Sequence, residues 1–199
     1  FNTMCKQLAG RRVFVFAISN LLYMMADAGL KLGNRRIFAP DSVITTGGGG
    51  KGMVLPEDWQ QTVKEFFGVE HINILYGMTE MCGSQFLQCE HGHYHPEPNL
   101  IPFLLDIGTN TLLPRDGTRT GRFAFYDLLP NSHWGGFVTA DEVTLEWDKP
   151  CPCGWSSPYI VGGISRIADK KTDAGEEKIN CAATPEAYED ALEFLGDSR

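Results

Sequence analysis

The stretch Asn73-Ile74-Leu75-Tyr76-Gly77-Met78-Thr79-Glu80-Met81 joins a short apolar segment to an aromatic ring, a glycine, a hydroxyl and a carboxylate. Residues 72–75 have the apolar character of a buried strand, and polar groups follow where that strand ends. In α/β proteins, ligands bind at the carboxyl ends of parallel strands. The stretch therefore predicts a ligand site at the end of a parallel sheet.

A second predicted strand, at residues 43–46, also runs into a polar loop, Gly47-Gly48-Gly49-Gly50-Lys51-Gly52. Glycines let backbone amides approach an anion closely. The run matches neither a Walker loop nor a dinucleotide fingerprint, so a plain flexible turn is the alternative. Its position after a buried strand favours a ligand-facing loop, which we expect to converge with the first stretch on one pocket.

The elements around these strands predict an α/β subdomain with a parallel sheet over residues 1–96. The continuous apolar run at 13–17 is typical of a strand buried on both faces. Ser19 or Asn20 can cap the helix that follows it. A second helix is predicted to start near Pro56 and to end at Gly68, with Trp59 and later apolar residues forming its buried stripe.

After residue 96, short β-type segments separated by turn signals predict a second, β-rich subdomain over residues 97–175. The predicted strands lie at 103–105, 121–126, 136–139 and 143–147. We expect them to form a small distorted antiparallel barrel. Residues 176–199 predict a polar tail that ends in a short helix starting at Thr184-Pro185-Glu186.

Composition excludes several classes of protein. The chain has 199 residues, of which 43% are hydrophobic and 21% charged, and it can bury a substantial core. A net charge of −8 argues against nucleic acid or an anionic membrane as the main partner. No apolar run approaches the roughly 20 residues that span a bilayer. The six cysteines are too sparse for a disulfide scaffold and predict a reducing, cytoplasmic location.

Two clusters of soft ligands predict a zinc site. The first is Cys89-Glu90-His91-Gly92-His93-Tyr94-His95 and the second is Cys151-Pro152-Cys153. Three thiolates and an imidazole complete a closed tetrahedral site, which is typical of structural rather than catalytic zinc. The predicted ligands are Cys89, His95, Cys151 and Cys153, with His93 and His91 less favoured. The alternative is a set of separate cysteines and solvated histidines.

Tyr76-Gly77-Met78-Thr79-Glu80 resembles the Tyr-Gly-x-Thr-Glu motif of acyl-adenylate-forming (ANL) enzymes. Three further segments match that family in its order: the glycines at 47–50, Thr139-Ala140-Asp141 and Ser165-Arg166-Ile167-Ala168-Asp169. The cysteine and histidine clusters are similar to those of phenylacetate–CoA ligases and coenzyme F390 synthetases. The order of motifs along the sequence is similar to that of acyl-protein synthetases.

This resemblance implies ATP and Mg²⁺ as cofactors. It implies that Gly47, Gly48 and Gly49 contact the adenine. It also implies that the ring of Tyr76 stacks on the adenine face and that Gly77 belongs to the same nucleotide-binding motif.

The same resemblance implies roles for four polar residues. Thr79 would bond the α-phosphate, and Glu80 would hold Mg²⁺, which prefers carboxylate and phosphate oxygens. Asp141 would accept hydrogen bonds from the ribose hydroxyls. Arg166 would orient the nucleotide. Ala140 and Ser165 stand where the family has glycine.

The implied function is ATP-dependent activation of a carboxylic acid as an acyl-adenylate, followed by transfer to a thiol of coenzyme A or of a protein cysteine. Cys181 is a candidate acyl acceptor. No phosphate loop ending in Lys precedes residue 47, and no carboxy-terminal domain with a catalytic lysine follows Asp169. We therefore expect a portion of an enzyme, with the remainder as its partner. The alternative is a non-catalytic, zinc-stapled interaction module.

Overall fold

A computed structural model of the chain describes residues 2–48, 54–81, 83–129 and 136–167. Their contacts divide between Asn73 and Ile74 into two compact units. This division lies upstream of the subdomain boundary predicted at residue 96. A contact division does not test where separately folding domains begin, so the boundary at residue 96 stays a prediction. Within the described residues, every helix is too short or too polar to span a bilayer.

The first unit packs helices against a pair of parallel strands. Its elements are α1 (Asn2–Leu8), β1 (Phe14–Ile18), α2 (Ser19–Lys31), β2 (Val43–Gly47) and α3 (Trp59–Phe67). Strands β1 and β2 pair in parallel, as the two apolar runs predict. Helix α3 ends at Gly68, whose φ of 86° is the left-handed conformation that favours glycine at a helix end.

The core of this unit lies between the two larger helices and one face of the strands. It includes Leu22 and Ala26 of α2, Ile44 of β2, and Val63 and Phe66 of α3. Helices α2 and α3 approach closely where a glycine of α2 faces a phenylalanine of α3. A Cβ atom built on Gly29 would lie 2.0 Å from Cε2 of Phe66, so only glycine fits there.

The prediction that β1 is buried on both faces is wrong within the described residues. Val15 and Ala17 pack on the helical core, whereas Phe14 and Phe16 are 71% and 66% exposed. Successive side chains of a strand point to opposite faces, and the described helices cover only one of them. The apolar run therefore forms the predicted strand with one unburied face.

The second unit is an antiparallel sheet. Its strands are β3 (Asn73–Tyr76), β4 (Phe86–Gln88), β5 (Tyr94–Pro96), β6 (Leu100–Leu105), β7 (Thr118–Asp127), β8 (Gly136–Glu146), β9 (Tyr159–Ile160) and β10 (Ser165–Arg166). They follow the order β3-β4-β5-β9-β8-β7-β6, with β10 paired to β8. The predicted α/β part followed by a β-rich part is confirmed. Strands β4 and β5, within the predicted α/β region, nevertheless pair in antiparallel fashion.

One apolar cluster forms the core of the second unit. Phe86, Leu104, Phe123, Leu145 and Ile160 are fully buried in it. Among the described strands no pairing joins β6 to β3, so the sheet is open and the expected barrel does not close. The predicted terminal helix lies outside the described residues.

Candidate nucleotide and metal sites

The Tyr-Gly-x-Thr-Glu stretch leaves the sheet at the end of β3. Tyr76 is the last residue of that strand, and a single 3-10 turn follows at Thr79–Met81. The turn is closed by the amide of Met81, which donates to the carbonyl of Met78 at 3.0 Å. Met81 is fully buried, whereas Thr79 is exposed and Glu80 partly exposed. The apolar residue thus anchors the turn and leaves the hydroxyl and carboxylate at its surface.

The structure brings Tyr76, Asp141 and Arg166 together. The Tyr76 hydroxyl donates to Oδ2 of Asp141 at 2.8 Å. Nε of Arg166 lies 3.5 Å from Oδ1 of the same carboxylate. Asp141 and Arg166 are direct partners in the antiparallel pairing of β8 with β10, which explains why the two motifs meet.

An irregularity in the sheet positions the aspartate. In the pairing of β7 with β8, Arg122 faces Glu142 and Ala124 faces Val138, so three residues of β8 stand opposite Phe123 alone. The Thr139 hydroxyl donates to the Phe123 carbonyl at 2.9 Å and accepts from the Asp141 amide at 3.0 Å. The Thr139-Ala140-Asp141 segment is therefore a bulge, a feature that redirects side chains beside binding sites.

The environment of this cluster keeps the tyrosine protonated. Burial, then the charge of Asp141 and its hydrogen bond, raise the pKa of Tyr76 far above the ordinary tyrosine range. The phenol is therefore a donor at neutral pH, and the carboxylate is its acceptor. The Asp141 side chain is only 12% exposed, whereas that of Arg166 is 56% exposed.

The glycines and two further residues implied by the family resemblance are each described by their place in the chain. Gly47 ends β2 in the first unit, and Gly48 follows it with a φ of 75°. Gly77 follows Tyr76 and is exposed. Gly49, Asp169 and Cys181 lie outside the described residues.

The second cluster gathers the four predicted metal ligands. The ligand atoms of Cys89, His95, Cys151 and Cys153 all lie within 4.8 Å of one another. Sγ of Cys89 and Sγ of Cys151 are 3.9 Å apart, and Sγ of Cys153 is 3.3 Å from Nε2 of His95. A tetrahedral zinc site places its ligand atoms about 3.5–3.8 Å apart, so the donor set fits this metal in chemistry and spacing.

Two short hairpin-like segments position these ligands. Cys89 and His95 flank the turn between β4 and β5, where the Cys89 amide donates to the His93 carbonyl at 2.8 Å. Cys151 and Cys153 share a tight turn, in which the Gly154 amide donates to the Cys151 carbonyl at 2.9 Å. Among the described cysteines none forms a disulfide.

Electrostatics at this cluster differ from ligand to ligand. Burial, followed by the nearby His93, lowers the pKa of His95 and favours the neutral imidazole that binds metals. Burial raises the pKa of Cys151 to about 11, while the backbone amide of Trp155 lowers the pKa of Cys153. A bound metal would hold all three thiols as thiolates.

Sequence reasoning missed the aromatic shell of the cluster. The His93 ring stacks on Tyr159 with centroids 4.8 Å apart, and its Nδ1 lies 3.2 Å from Sγ of Cys151. The His95 ring lies 5.4 Å from Tyr159 and 5.1 Å from Trp155. Trp155 follows the Cys-Pro-Cys-Gly turn directly in sequence, which is the one local signal that could have indicated it.

No protein-family model matches the chain. No curated protein matches it either. Among solved structures, the chain is similar to an open conformation of 2-hydroxyisobutyryl-CoA ligase in complex with 2-HIB-AMP and CoA. The TM-score is 0.60 at 14% sequence identity, over 96% of this chain and 43% of that one. The chain therefore spans less than half the length of that ligase structure.

Two further likenesses are too distant to carry an argument. Apo MatB from Rhodopseudomonas palustris matches with a TM-score of 0.45 at 14% identity, over 80% of this chain and 32% of that one. A red-emitting luciferase from Phrixothrix hirtus matches with a TM-score of 0.45 at 17% identity, over 76% and 36%. At such identities a likeness shows the fold alone. The chain thus shares its fold with part of the 2-hydroxyisobutyryl-CoA ligase structure.

Proposed function

We propose that this chain is the nucleotide-binding part of a ligase that uses ATP to activate a carboxylic acid. The observation that carries the proposal is the cluster of Tyr76, Asp141 and Arg166. It unites three motifs of the adenylate-forming resemblance through a 2.8 Å hydrogen bond and a 3.5 Å ion pair. The fold supports it as well, since the similar ligase structure was determined with 2-HIB-AMP and CoA.

The chemistry of the residues suits a nucleotide. Asp141 carries two acceptor oxygens for a ribose diol, and Arg166 places a cation beside them. Thr79 and Glu80 sit at the surface of the turn after β3, where a hydroxyl and a carboxylate can meet a phosphate and its Mg²⁺. We assign adenine contact to the loop that starts at Gly47.

The proposed reaction has two steps. A carboxylate oxygen attacks the α-phosphorus of ATP, the bond to pyrophosphate breaks, and an acyl-adenylate forms. A thiol then attacks the acyl carbon and AMP leaves. The thiol belongs to coenzyme A or to a protein cysteine, for which Cys181 is the candidate in this chain. Parts outside this chain would supply the remaining phosphate contacts.

We also propose a structural Zn²⁺ held by Cys89, His95, Cys151 and Cys153. All four positions of a tetrahedral ion would be filled by protein, which leaves no open position for catalysis. The ion would join the β4–β5 turn to the turn before β9. No comparison favours the non-catalytic module, so we do not propose it.

Calorimetric titration of the full-length protein with MgATP tests the ligase proposal. We expect binding by the wild type and about tenfold or greater weakening in Asp141→Asn, which removes a charged acceptor. Glu80→Ala should weaken binding of MgATP more than binding of ATP without the metal. Asp41→Asn is the matched control, because its carboxylate is exposed and lies 3.6 Å from Arg12 in the first unit. Absence of binding to ATP and to an acyl-adenylate mimic would overturn the proposal.

A further inference from the structure

We infer that Tyr76 is a positioning residue, whose hydroxyl fixes the Asp141 carboxylate for the ribose. This inference rests on the proposed function, because it names how one residue of that site acts. Three observations carry it: the packing of the ring, the hydrogen bond of the hydroxyl, and the weakness of the other contact to the carboxylate.

The ring of Tyr76 is partly buried and packs against the apolar core of the second unit. Its centroid lies 5.8 Å from that of Phe86 and 5.7 Å from that of Phe123, both fully buried. Those two rings in turn contact each other edge to face at 5.5 Å. Three aromatic rings that pack on one another in this way form a fixed core element. The orientation of the tyrosine is therefore set before any ligand arrives.

That orientation directs the hydroxyl at Asp141. At 2.8 Å, the O–H···O⁻ contact has the length of a good hydrogen bond, and a charged acceptor makes such bonds stronger than neutral ones. The two residues are 65 positions apart in the chain, so the bond joins the end of β3 to the bulge of β8. It thereby connects the Tyr-Gly-x-Thr-Glu motif to the Thr-Ala-Asp motif.

The second contact to this carboxylate is weaker. Nε of Arg166 is 3.5 Å from Oδ1, and more than half of the arginine side chain is exposed. An ion pair at this distance with a largely exposed arginine gives the carboxylate little orientation. Of Asp141, the Thr139 hydroxyl contacts the backbone amide and not the carboxylate. The Tyr76 hydroxyl is thus the contact that orients the carboxylate among the described residues.

A carboxylate oxygen accepts more than one hydrogen bond, so an oriented Asp141 can still accept from two ribose hydroxyls. Preorganisation of such an acceptor improves affinity, because the ligand does not have to order it. The inference therefore predicts that removal of the Tyr76 hydroxyl reduces discrimination for ribose hydroxyls. Removal of the hydroxyl should leave contacts to the base and phosphates unchanged.

The test compares ATP with 2′-deoxy-ATP and 3′-deoxy-ATP in the full-length protein, as wild type, Tyr76→Phe, Asp141→Asn and the double variant. We expect Tyr76→Phe to bind ATP about tenfold more weakly and to lose most of the preference for ATP over the deoxy analogues. The double variant should bind no more weakly than Asp141→Asn, because the hydroxyl acts through that carboxylate. An unchanged preference in Tyr76→Phe would show that the ring, which phenylalanine retains, is what matters.

A second substitution keeps the test decisive if Tyr76→Phe is unstable. Fluorotyrosine at position 76 retains the ring and hydroxyl but changes the donor strength, so the ribose preference should shift with it. A constant preference overturns the inference. A wild type that binds ATP without ribose preference also overturns it, whereas one that binds neither ATP nor an acyl-adenylate mimic overturns the proposed function itself.

Discussion

The two units of the chain stabilise their strands by different means. In the first unit helices cover one face of a parallel strand pair, and an apolar cluster that includes Phe66 and Ile44 fills the space between them. In the second unit the sheet packs around its own aromatic core, and polar clusters hold the ends of its strands. We therefore expect the stability of the first unit to depend most on packing, and that of the second unit to depend most on single polar groups.

Removal of the proposed zinc gives the largest expected effect. His95→Ala should abolish stoichiometric zinc in protein purified without a histidine tag. It should also lower the free energy of unfolding of the second unit by more than about 4 kcal/mol, as loss of a structural metal does. Metal analysis and amide exchange along β5, β8 and β9 measure the two effects. Exchange along β1 and β2 should change little, since no ligand comes from the first unit.

The matched control is His91→Ala in the same loop. His91 is exposed and its charged neighbour is Glu90, at 3.7 Å. This variant should keep its zinc. Loss of zinc in His93→Ala with retention in His95→Ala would reassign the fourth ligand, and absence of zinc from the wild type would refute the site.

A packing change in the first unit gives the next largest effect. Gly29→Ala places a methyl group inside the ring of Phe66, which cannot retreat because it packs at 6.3 Å and 4.9 Å against Phe38 and Phe67. Overpacking costs about 1–3 kcal/mol and alanine returns about 1 kcal/mol of helix propensity. We expect a net destabilisation of up to about 2 kcal/mol, measured by chemical denaturation.

Gly163→Ala provides the control for this change. A Cβ atom on Gly163 meets nothing within 4 Å, so stability should be unchanged. Equal destabilisation by both substitutions would mean that the approach of α2 to α3 is not what selects glycine at position 29.

The strands of both units could be predicted where a long apolar pattern sets their position. They were harder to predict where tertiary contacts set their position and length. The two segments predicted at 136–139 and 143–147 form one strand, β8. The acidic residues between them indicate a turn in sequence, but pairing with β7 and β10 keeps them extended. Strands β4 and β5 have three residues each, too few to show a period.

The start of α2 shows a similar limit. Ser19 and Asn20 were expected to cap this helix, but the residue at its N-cap is Ile18, with no side-chain cap. The Ser19 hydroxyl instead bonds to that of Thr46 at 3.1 Å, and the Asn20 side chain accepts from the next amide. A hydroxyl that has a partner 27 residues away in β2 cannot be recognised from local sequence.

For the site, spacing and residue type were sufficient to indicate which ligands could share a metal. Cys151 and Cys153 are two residues apart and His95 follows Cys89 after a short turn, a spacing that is typical of metal sites. The hydrogen bond between Tyr76 and Asp141 had no such signal, because it depends on the bulge opposite Phe123. Motif resemblance indicated the members of that cluster, whereas its internal geometry follows from the fold alone.

The smallest effect concerns a cation on the surface of the second unit. The guanidinium of Arg115 lies 5.3 Å from the ring of Phe103 and 4.9 Å from that of Trp147. Arg115→Met keeps the apolar stem and removes the charge, so it should cost about 0.5–1 kcal/mol, as exposed cation–π contacts do. Denaturation midpoints, compared with Arg12→Met in the exposed ion pair with Asp41, measure this. Equal effects of the two substitutions would show that the aromatic rings add no stability beyond that of an ordinary surface charge. Polar groups would then stabilise the second unit only where they are buried.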